Sequence, residues 1–318
     1  MPDHAIFGGV LRSEIHFPDL RPAGGGGGGA HPTWSFHRSP EAPPPDAGEF
    51  LGEVAFDAGS HLRVSKTPRG LRFVYTDTGV FDVSADGRDI VWFPTPDADL
   101  DLALIDVAGR VMAGALHLSG LLCLHGSAVA LTHGGIAFLA PKHYGKSTLA
   151  LAMTRGGAKL LTDDTLPVEL GHPIQLWPGV HSVRLWADSA ERLAPDRIGT
   201  SREYGGKHVL DELSKDALAN HVAPLSAVYI LSPPPQTPSG PATRSRLADV
   251  PAAMALVQHT KIGALLGKSE APALFERAVA VARDVPVYSL EYERDFAHVD
   301  HLVQQLLEWH SRPPGPTA

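Results

Sequence analysis

The sequence predicts an α/β protein with a smaller β-rich domain at its N-terminus. Three observations support this prediction. Short segments with alternating side-chain character, separated by turn signals, occupy residues 51–95. After residue 122, apolar strands alternate with helical stretches, which is typical of an α/β layer. One of these strands, "GGIAFLA", runs into a loop ending in "GKST" and then into a helix. We place the domain boundary at residue 100, so that the domains are 1–100 and 101–318.

The N-terminal domain contains a Gly/Pro-rich loop, predicted at 24–49. Six consecutive glycines occupy 24–29 and "SPEAPPPDAGE" occupies 39–49, and neither segment can bury a core. Downstream, "ADGR" at 85–88 is a hairpin turn signal between two alternating segments. We therefore expect a small antiparallel sheet after the loop.

The larger domain is predicted to begin with a helix, because apolar residues recur at helical spacing in "DVAGRVMAGALHLSGLL", 106–122. The apolar window "LLCLHGSAVALTHGGIAFLA" is predicted to form two buried strands. Further predicted elements are a strand near 225–232, helices at 249–266 and 270–283, the strand "VPVYSLEY" and a last helix "DHLVQQLLEWH".

Composition excludes several classes of protein. A formal charge of −8 gives no support for a nucleic-acid partner, which would select a basic face. Cys123 is the only cysteine, so an intrachain disulfide and a multi-cysteine metal site are excluded. The N-terminus lacks a secretion signal, and histidines and glycines interrupt the most apolar window, 121–140. We expect a soluble cytoplasmic protein without a membrane span, and the oligomeric state stays open.

The loop after "GGIAFLA" predicts a phosphate-binding site. Gly145, Lys146, Ser147 and Thr148 match the end of the phosphate-loop pattern, in which backbone N–H groups and lysine hold phosphates and the hydroxyl holds Mg²⁺. A helix beginning there would point its free N–H groups at an anion. The alternative is an ordinary strand-to-helix turn. The remaining candidate nucleotide contacts in this loop are Ala140, Lys142 and Tyr144.

Ala140 stands where the pattern has its opening glycine. An alanine is tolerated there if its φ is negative. Lys142 either adds a phosphate contact or points to solvent.

Two further motifs flank this loop. Asp163 and Asp164 are adjacent carboxylates at the end of the apolar strand in "KLLTDDTLPVEL", where they repel each other unless a cation or proton lies between them. The alternative is a solvated turn with a helix cap. His125 begins a strand in "CLHGSAVAL", and its alternative is a purely structural histidine.

These motifs together resemble a known family. Lys146 lies 21 positions after His125, and Asp163 lies 17 positions after Lys146. This arrangement resembles the C-terminal domain of HPr kinase/phosphorylase and the related peptide serine kinases. The resemblance implies a P-loop-containing, PEP-carboxykinase-like core that uses ATP and Mg²⁺. It implies that Asp163 is the catalytic base assisted by His125, and that Ser147 and Asp164 hold the metal. The residues alone leave the roles of the two aspartates open.

The sequence also departs from that family. Ala140 and the segment Lys142–Tyr144 replace small residues of the loop, and we find no copy of the second signature of bifunctional HPr kinases. These departures count against phosphorolysis and against HPr as the acceptor.

Arg184 and Lys207 are candidates for neutralising transition-state charge or clamping an acidic acceptor. We expect each to lie in a glycine-flanked loop segment, with a plain surface charge as the alternative. We expect Trp177 and Trp186 to belong to the core.

Three functions follow as hypotheses. The first is an ATP-dependent kinase acting on a serine of a peptide or protein; by resemblance, this is the C-terminal serine of a lasso-peptide precursor. The second is a kinase or carboxykinase-like enzyme with a small-molecule acceptor. The third is a regulatory protein that binds nucleotide without turnover, as Ala140 would suggest.

Overall fold

A computed structural model describes residues 2–23, 32–45, 48–56, 59–180, 182–199, 201–204, 206–210, 213–232 and 241–312. The chain forms two compact units. The first comprises Met1–Cys123 and Thr260–Glu276, and the second comprises Leu124–His259 and Arg277–Ala318. The six-glycine run lies outside the described residues.

In the described part of the first unit, nine strands form one sheet in the order β3-β1-β2-β4-β9-β8-β7-β6-β5. β1 to β9 are Asp3–Ile6, Gly9–Ser13, Arg21–Pro22, Thr33–Arg38, Glu49–Ala55, His61–Thr67, Gly70–Tyr75, Gly79–Ser84 and Asp89–Phe93. The antiparallel run from β5 to β9 matches the sheet predicted for residues 51–95. The segment 24–49 was predicted to be a loop, but it contains β4. This strand forms because the alternate residues Trp34 and Phe36 bury their side chains in the core.

The helices have bounds that differ in part from the predicted ones. α1 to α7 are Leu100–Asp106, Met112–Leu118, Lys146–Arg155, Ala187–Leu193, Asp249–Gln258, Gly267–Asp284 and Phe296–Trp309. A π-helical turn, Val107–Val111, joins α1 to α2, so the helix predicted at 106–122 begins six residues earlier and ends at Leu118. No described helix is long and apolar enough to cross a bilayer.

The predicted boundary at residue 100 differs from the observed division, because α2 packs on the first sheet. A Cβ placed on Gly114 would lie 2.5 Å from the ring of Phe73 in β7, so the missing side chain allows this close approach. The segment Thr260–Glu276 also belongs to the first unit, where Glu270 pairs with Lys66 of β6 at 2.8 Å.

The second unit is built on a mixed sheet. Its strands are β11 to β15 (Gly126–Leu131, Gly134–Leu139, Lys159–Thr162, Leu166–Glu169, Gln175–Leu176) and β19 to β21 (Ala223–Leu231, Thr243–Arg246, Val287–Glu291). The chain enters this unit within β10, Leu122–Leu124. Two strands were predicted in 121–140, and the structure has three there, β10, β11 and β12. β12 pairs in parallel with β19, and β19 pairs in parallel with β21.

β12 is buried along its whole length, as expected for a central strand covered on both faces. α3 follows it after the loop 140–145 and packs in the same apolar cluster, which includes Phe138, Leu149 and Tyr229. A Cβ on Gly156, the C-cap of α3, would lie 2.6 Å from Val303 of α7. These contacts fix the loop at the carboxyl end of the sheet.

The buried Asp106 in the first unit makes stability depend on pH. Its Oδ2 accepts a hydrogen bond from Thr78 at 2.8 Å, and burial raises its pKa to about 7. The folded state therefore holds a proton that the unfolded chain releases near pH 4, so the free energy of unfolding falls as pH rises between about 4 and 7.

We predict that replacing Asp106 with Asn removes this dependence. From pH 5 to pH 8, the wild-type free energy of unfolding should fall by roughly 2–3 kcal/mol more than that of Asp106→Asn. Urea denaturation of both proteins at the two pH values measures the difference. Equal pH dependence in both proteins would contradict the prediction.

Candidate active site

A cavity of about 240 Å³ opens at the carboxyl end of β12, against the phosphate-loop sequence. All predicted site residues except Ala140 line it. They are His125, Lys142, Tyr144, Gly145, Lys146, Ser147, Thr148, Asp163, Asp164, Arg184 and Lys207, and the lining also includes His143, Leu185 and Trp186. The fold thus brings together side chains from β16, β18, the end of β13 and both ends of the loop, where β16 is Val183–Trp186 and β18 is Lys207–Leu210.

The loop backbone turns sharply before α3. Gly145 is the N-cap of α3 at φ +82°, and His143 also has a left-handed φ, +68°. The first intrahelical hydrogen bond runs from Leu149 N to Gly145 O. The N–H groups of the first turn of α3 therefore lie at the cavity, where they favour an anion.

Ala140 fits the loop without strain. It is not among the residues with positive φ, and its side chain is fully buried in the core, outside the cavity. Its carbonyl oxygen instead accepts a hydrogen bond from Lys146 Nζ at 2.9 Å, and Pro141 O lies 3.1 Å from the same ammonium. Ala140 therefore shapes the loop through its backbone.

Asp163 is a buried carboxylate that joins three parts of the site. Oδ1 accepts hydrogen bonds from Ser147 Oγ at 2.9 Å and from Ser127 Oγ at 2.5 Å. Oδ2 accepts one from the backbone N–H of Arg184 at 3.3 Å. Asp163 is only 6% exposed, so these donors replace the water that an ionised carboxylate needs.

Asp164 faces a different partner. Its φ of +73° is unusual for a residue with a side chain, and such strain concentrates at functional sites. His125 Nδ1 lies 3.3 Å from Asp164 Oδ1 and 3.2 Å from its carbonyl oxygen. The Asp164 side chain is 33% exposed and the His125 side chain is 30% exposed, so both remain open to the cavity.

Arg184 and Lys207 reach the cavity from strands, which corrects the expectation of glycine-flanked loops. Arg184 lies on β16 and Lys207 on β18, in a three-stranded antiparallel sheet with β17, Arg202–Tyr204. Gly206, at φ +74°, lies in the turn before β18. Side chains on a paired strand are held in fixed directions, so the two cations are positioned by the sheet.

The tryptophan expectation is also corrected. Trp186 is half-buried and lines the cavity: its ring stacks on the His143 ring at 4.7 Å, and Lys207 Nζ lies 5.1 Å from its centroid. Trp177 is half-buried as well, and its Nε1 donates to Glu169 Oε2 at 2.9 Å. An indole with an apolar face and a polar edge suits both of these half-buried positions.

Comparison with known proteins gives a distant likeness among solved structures. No family model and no curated protein matches the chain. Among solved structures, it is similar to the Hpr(Ser) kinase/phosphatase from Coxiella burnetii, with 13% identity and a TM-score of 0.33, over 59% of this chain and 95% of that one. We take no residue role from that protein.

Sequence reasoning missed Ser127 and His259. Ser127 lies two positions after His125, so the strand predicted to begin at His125 would have placed both on one face, which was an available signal. In the structure His125 lies in the bend between β10 and β11, and Ser127 lies in β11. No sequence signal marks His259, which is the C-cap of α5. Its carbonyl oxygen accepts a hydrogen bond from His125 N at 2.6 Å. Burial, reinforced by the charges of Lys146 and His125, lowers the pKa of His259 to about 4, so it is neutral near pH 7.

The oxygen atoms of Ser147 and Asp163 fit a Mg²⁺ site. Within the described ranges there is no group of three or more His, Cys, Asp or Glu side chains that could hold a metal. Mg²⁺ bound to nucleotide phosphates needs only one or two protein oxygens, and it prefers carboxylate and hydroxyl oxygens over nitrogen. The hydroxyl and carboxylate, already 2.9 Å apart, are such a pair.

We predict that Ser127→Ala destabilises the protein by about 1–3 kcal/mol, because the buried Asp163 carboxylate loses a charge-assisted hydrogen bond. Urea denaturation measures the loss. The matched control is Ser226→Ala, whose partly exposed hydroxyl donates to His133 O at 3.2 Å; this substitution should cost less than about 0.5 kcal/mol. Equal effects of the two substitutions would contradict the role assigned to Ser127.

Proposed function

We propose that the protein is a kinase that transfers the terminal phosphoryl group of ATP to a serine hydroxyl. The observation that carries this proposal is the hydrogen bond between Ser147, in the phosphate loop, and the buried Asp163. It joins the two motifs that phosphoryl transfer needs: a loop that holds the phosphates and a carboxylate beside the metal position. A chance Gly-Lys-Ser in an ordinary turn would not require this partner.

The charges of the cavity suit the nucleotide phosphates. Lys142, Lys146, Arg184 and Lys207 line it together with the N–H groups at the start of α3. Lys146 would exchange its contacts with loop carbonyls for the outer phosphates, and Arg184 and Lys207 would lie near the transferring group. Mg²⁺, when bound, would neutralise charge on the phosphate oxygens.

The geometry favours exchanging the aspartate roles implied by the resemblance. Asp163 shares a hydrogen bond with Ser147, so both would hold Mg²⁺, whereas Asp164 pairs with His125 at the open side of the cavity. Asp163 already accepts three hydrogen bonds and is only 6% exposed, so its carboxylate offers an acceptor hydroxyl little access. We therefore assign Asp164 as the base and His125 as the residue that orients it.

The proposed step balances as a single displacement. The acceptor oxygen forms a bond to the γ-phosphorus of ATP while the bond from that phosphorus to the β–γ bridging oxygen breaks. The hydroxyl proton passes to the Asp164 carboxylate, and ADP leaves with the bridging oxygen. Arg184 and Lys207 stabilise the charge that spreads over the transferring oxygens.

A peptide ending in serine is the acceptor we propose to test first, with the C-terminal serine of a lasso-peptide precursor as its most specific form. Such an acceptor carries a carboxylate beside its hydroxyl. Arg184 and Lys207, fixed on adjacent strands, are suited to hold that carboxylate, and Arg can do so with two parallel hydrogen bonds.

We predict Mg²⁺-dependent phosphate gain on such a peptide, detected by mass spectrometry after incubation with ATP, with HPr offered in parallel. Lys146→Ala should lower the rate at least about 100-fold, because phosphate stabilisation of this kind contributes several kcal/mol to catalysis. Lys159→Ala, an exposed lysine at the start of β13, is the matched control and should leave the rate unchanged. Tight ATP binding without transfer to any acceptor would favour the non-catalytic, regulatory function.

The exchanged roles of the aspartates give a separate prediction. Asp163→Asn should abolish the Mg²⁺ dependence of ATP binding, whereas Asp164→Asn should retain it and lose at least about 100-fold in turnover, as general-base removal does. Calorimetric titration of ATP with and without Mg²⁺, together with the transfer assay, separates the two. The reverse pattern would restore the assignment implied by the resemblance.

A further inference from the structure

A second cavity, of about 570 Å³, adjoins the first across the phosphate loop. The two share His143, Gly145 and Thr148. Its other wall is the segment that follows β21 and begins α7, including Glu293, Arg294, Asp295 and Phe296, and Asp188 of α4 closes it from the side. Its volume lies in the range of small-molecule sites, about 300–1,000 Å³.

The two cavities carry opposite charge. Lys142, Lys146, Arg184 and Lys207 outnumber the two aspartates in the first cavity. Among the described residues, the second is lined by Asp188, Glu293 and Asp295 against one arginine, Arg294. A polyphosphate is attracted to the first cavity and repelled by the second, so a ligand that spans both must place its uncharged end in the second.

The second cavity is tied to the phosphate loop by direct contacts. Arg294 donates from Nη1 to His143 O at 3.2 Å, and its guanidinium lies 4.6 Å from the centroid of the Tyr144 ring. Tyr292 Oη donates to Tyr144 O at 3.4 Å. The wall of the second cavity and the middle of the phosphate loop are therefore held as one structure.

The carboxylates of the second cavity keep acceptor capacity for a ligand. Asp295 Oδ1 accepts from Ala297 N at 2.9 Å, and Asp188 Oδ1 accepts from Ser189 N at 2.7 Å. Each carboxylate has two oxygens with about four lone-pair positions between them, so one such bond leaves others available. Hydroxyl and amino donors complement them.

We propose that the second cavity binds the ribonucleoside part of the nucleotide, which rests on the kinase function proposed above. The triphosphate passes over Gly145 and Thr148 into the cationic cavity. The base stacks on Phe296, a half-buried aromatic ring in the cavity wall, and the ribose hydroxyls or an exocyclic amine donate to the carboxylates. Because its lining is acidic, the second cavity accepts an uncharged nucleoside and repels an additional phosphate group.

Calorimetry with two ligands tests this assignment. ATP and inorganic tripolyphosphate share the phosphate chain and differ by the nucleoside. In the presence of Mg²⁺, we expect wild-type protein to bind ATP at least about tenfold more tightly than tripolyphosphate. Phe296→Ala should weaken ATP binding about tenfold and leave tripolyphosphate binding unchanged.

Phe275→Ala is the matched control, because Phe275 is a partly exposed phenylalanine of α6 that lines neither cavity, and it should change neither affinity. If Phe296→Ala still binds tripolyphosphate, this variant is folded. If Phe296→Ala does not bind tripolyphosphate, the experiment is repeated with Phe296→Leu, which keeps the apolar packing. Equal affinity of wild-type protein for the two ligands, or equal loss of both in the folded variant, overturns the nucleoside site while leaving the phosphate loop intact. Absence of binding of either ligand to wild-type protein overturns the phosphate site as well.

Discussion

The geometry of the site depends on one buried carboxylate. Asp163 receives hydrogen bonds from β11, from the first turn of α3 and from the backbone of β16, so a single side chain holds three elements in register at the end of β13. Removing any one donor leaves a buried acceptor less well satisfied, which costs more than the bond itself contributes. For this reason the start of α3, the strand that carries Arg184 and β11 are held together.

The parts of the fold that could be predicted are those governed by local patterns. The alternation in 51–95 predicted the antiparallel sheet, and "GGIAFLA" followed by "GKST" predicted strand, loop and helix in order. β4 could not be predicted beside glycine and proline tracts, because its burial depends on pairing with β2 and β9, distant in sequence. The boundary at residue 100 missed the packing of α2 on β7 for the same reason.

For the candidate site, residue types were easier to predict than their directions. Motif spacing selected Lys146, Ser147, Asp163 and Asp164, and the fold places them around one cavity. Which aspartate meets Ser147 depends on the left-handed backbone at Asp164, which turns its carboxylate away toward His125. Trp186 was assigned to the core because large aromatic residues are commonly buried. Its position beside the first cavity follows from the small sheet of β16 to β18, and no local sequence pattern predicts the pairing of these strands.

The resting position of the Lys146 ammonium has a further consequence. Because it is only 8% exposed and is held by the carbonyls of Ala140 and Pro141, an anion bound as the proposed function requires would exchange one set of partners for another. A buried charge of this kind is weakly screened by salt, whereas the exposed Lys142 is fully subject to screening. Rising ionic strength should therefore slow the capture of anions at the rim while leaving their retention in the loop largely unchanged.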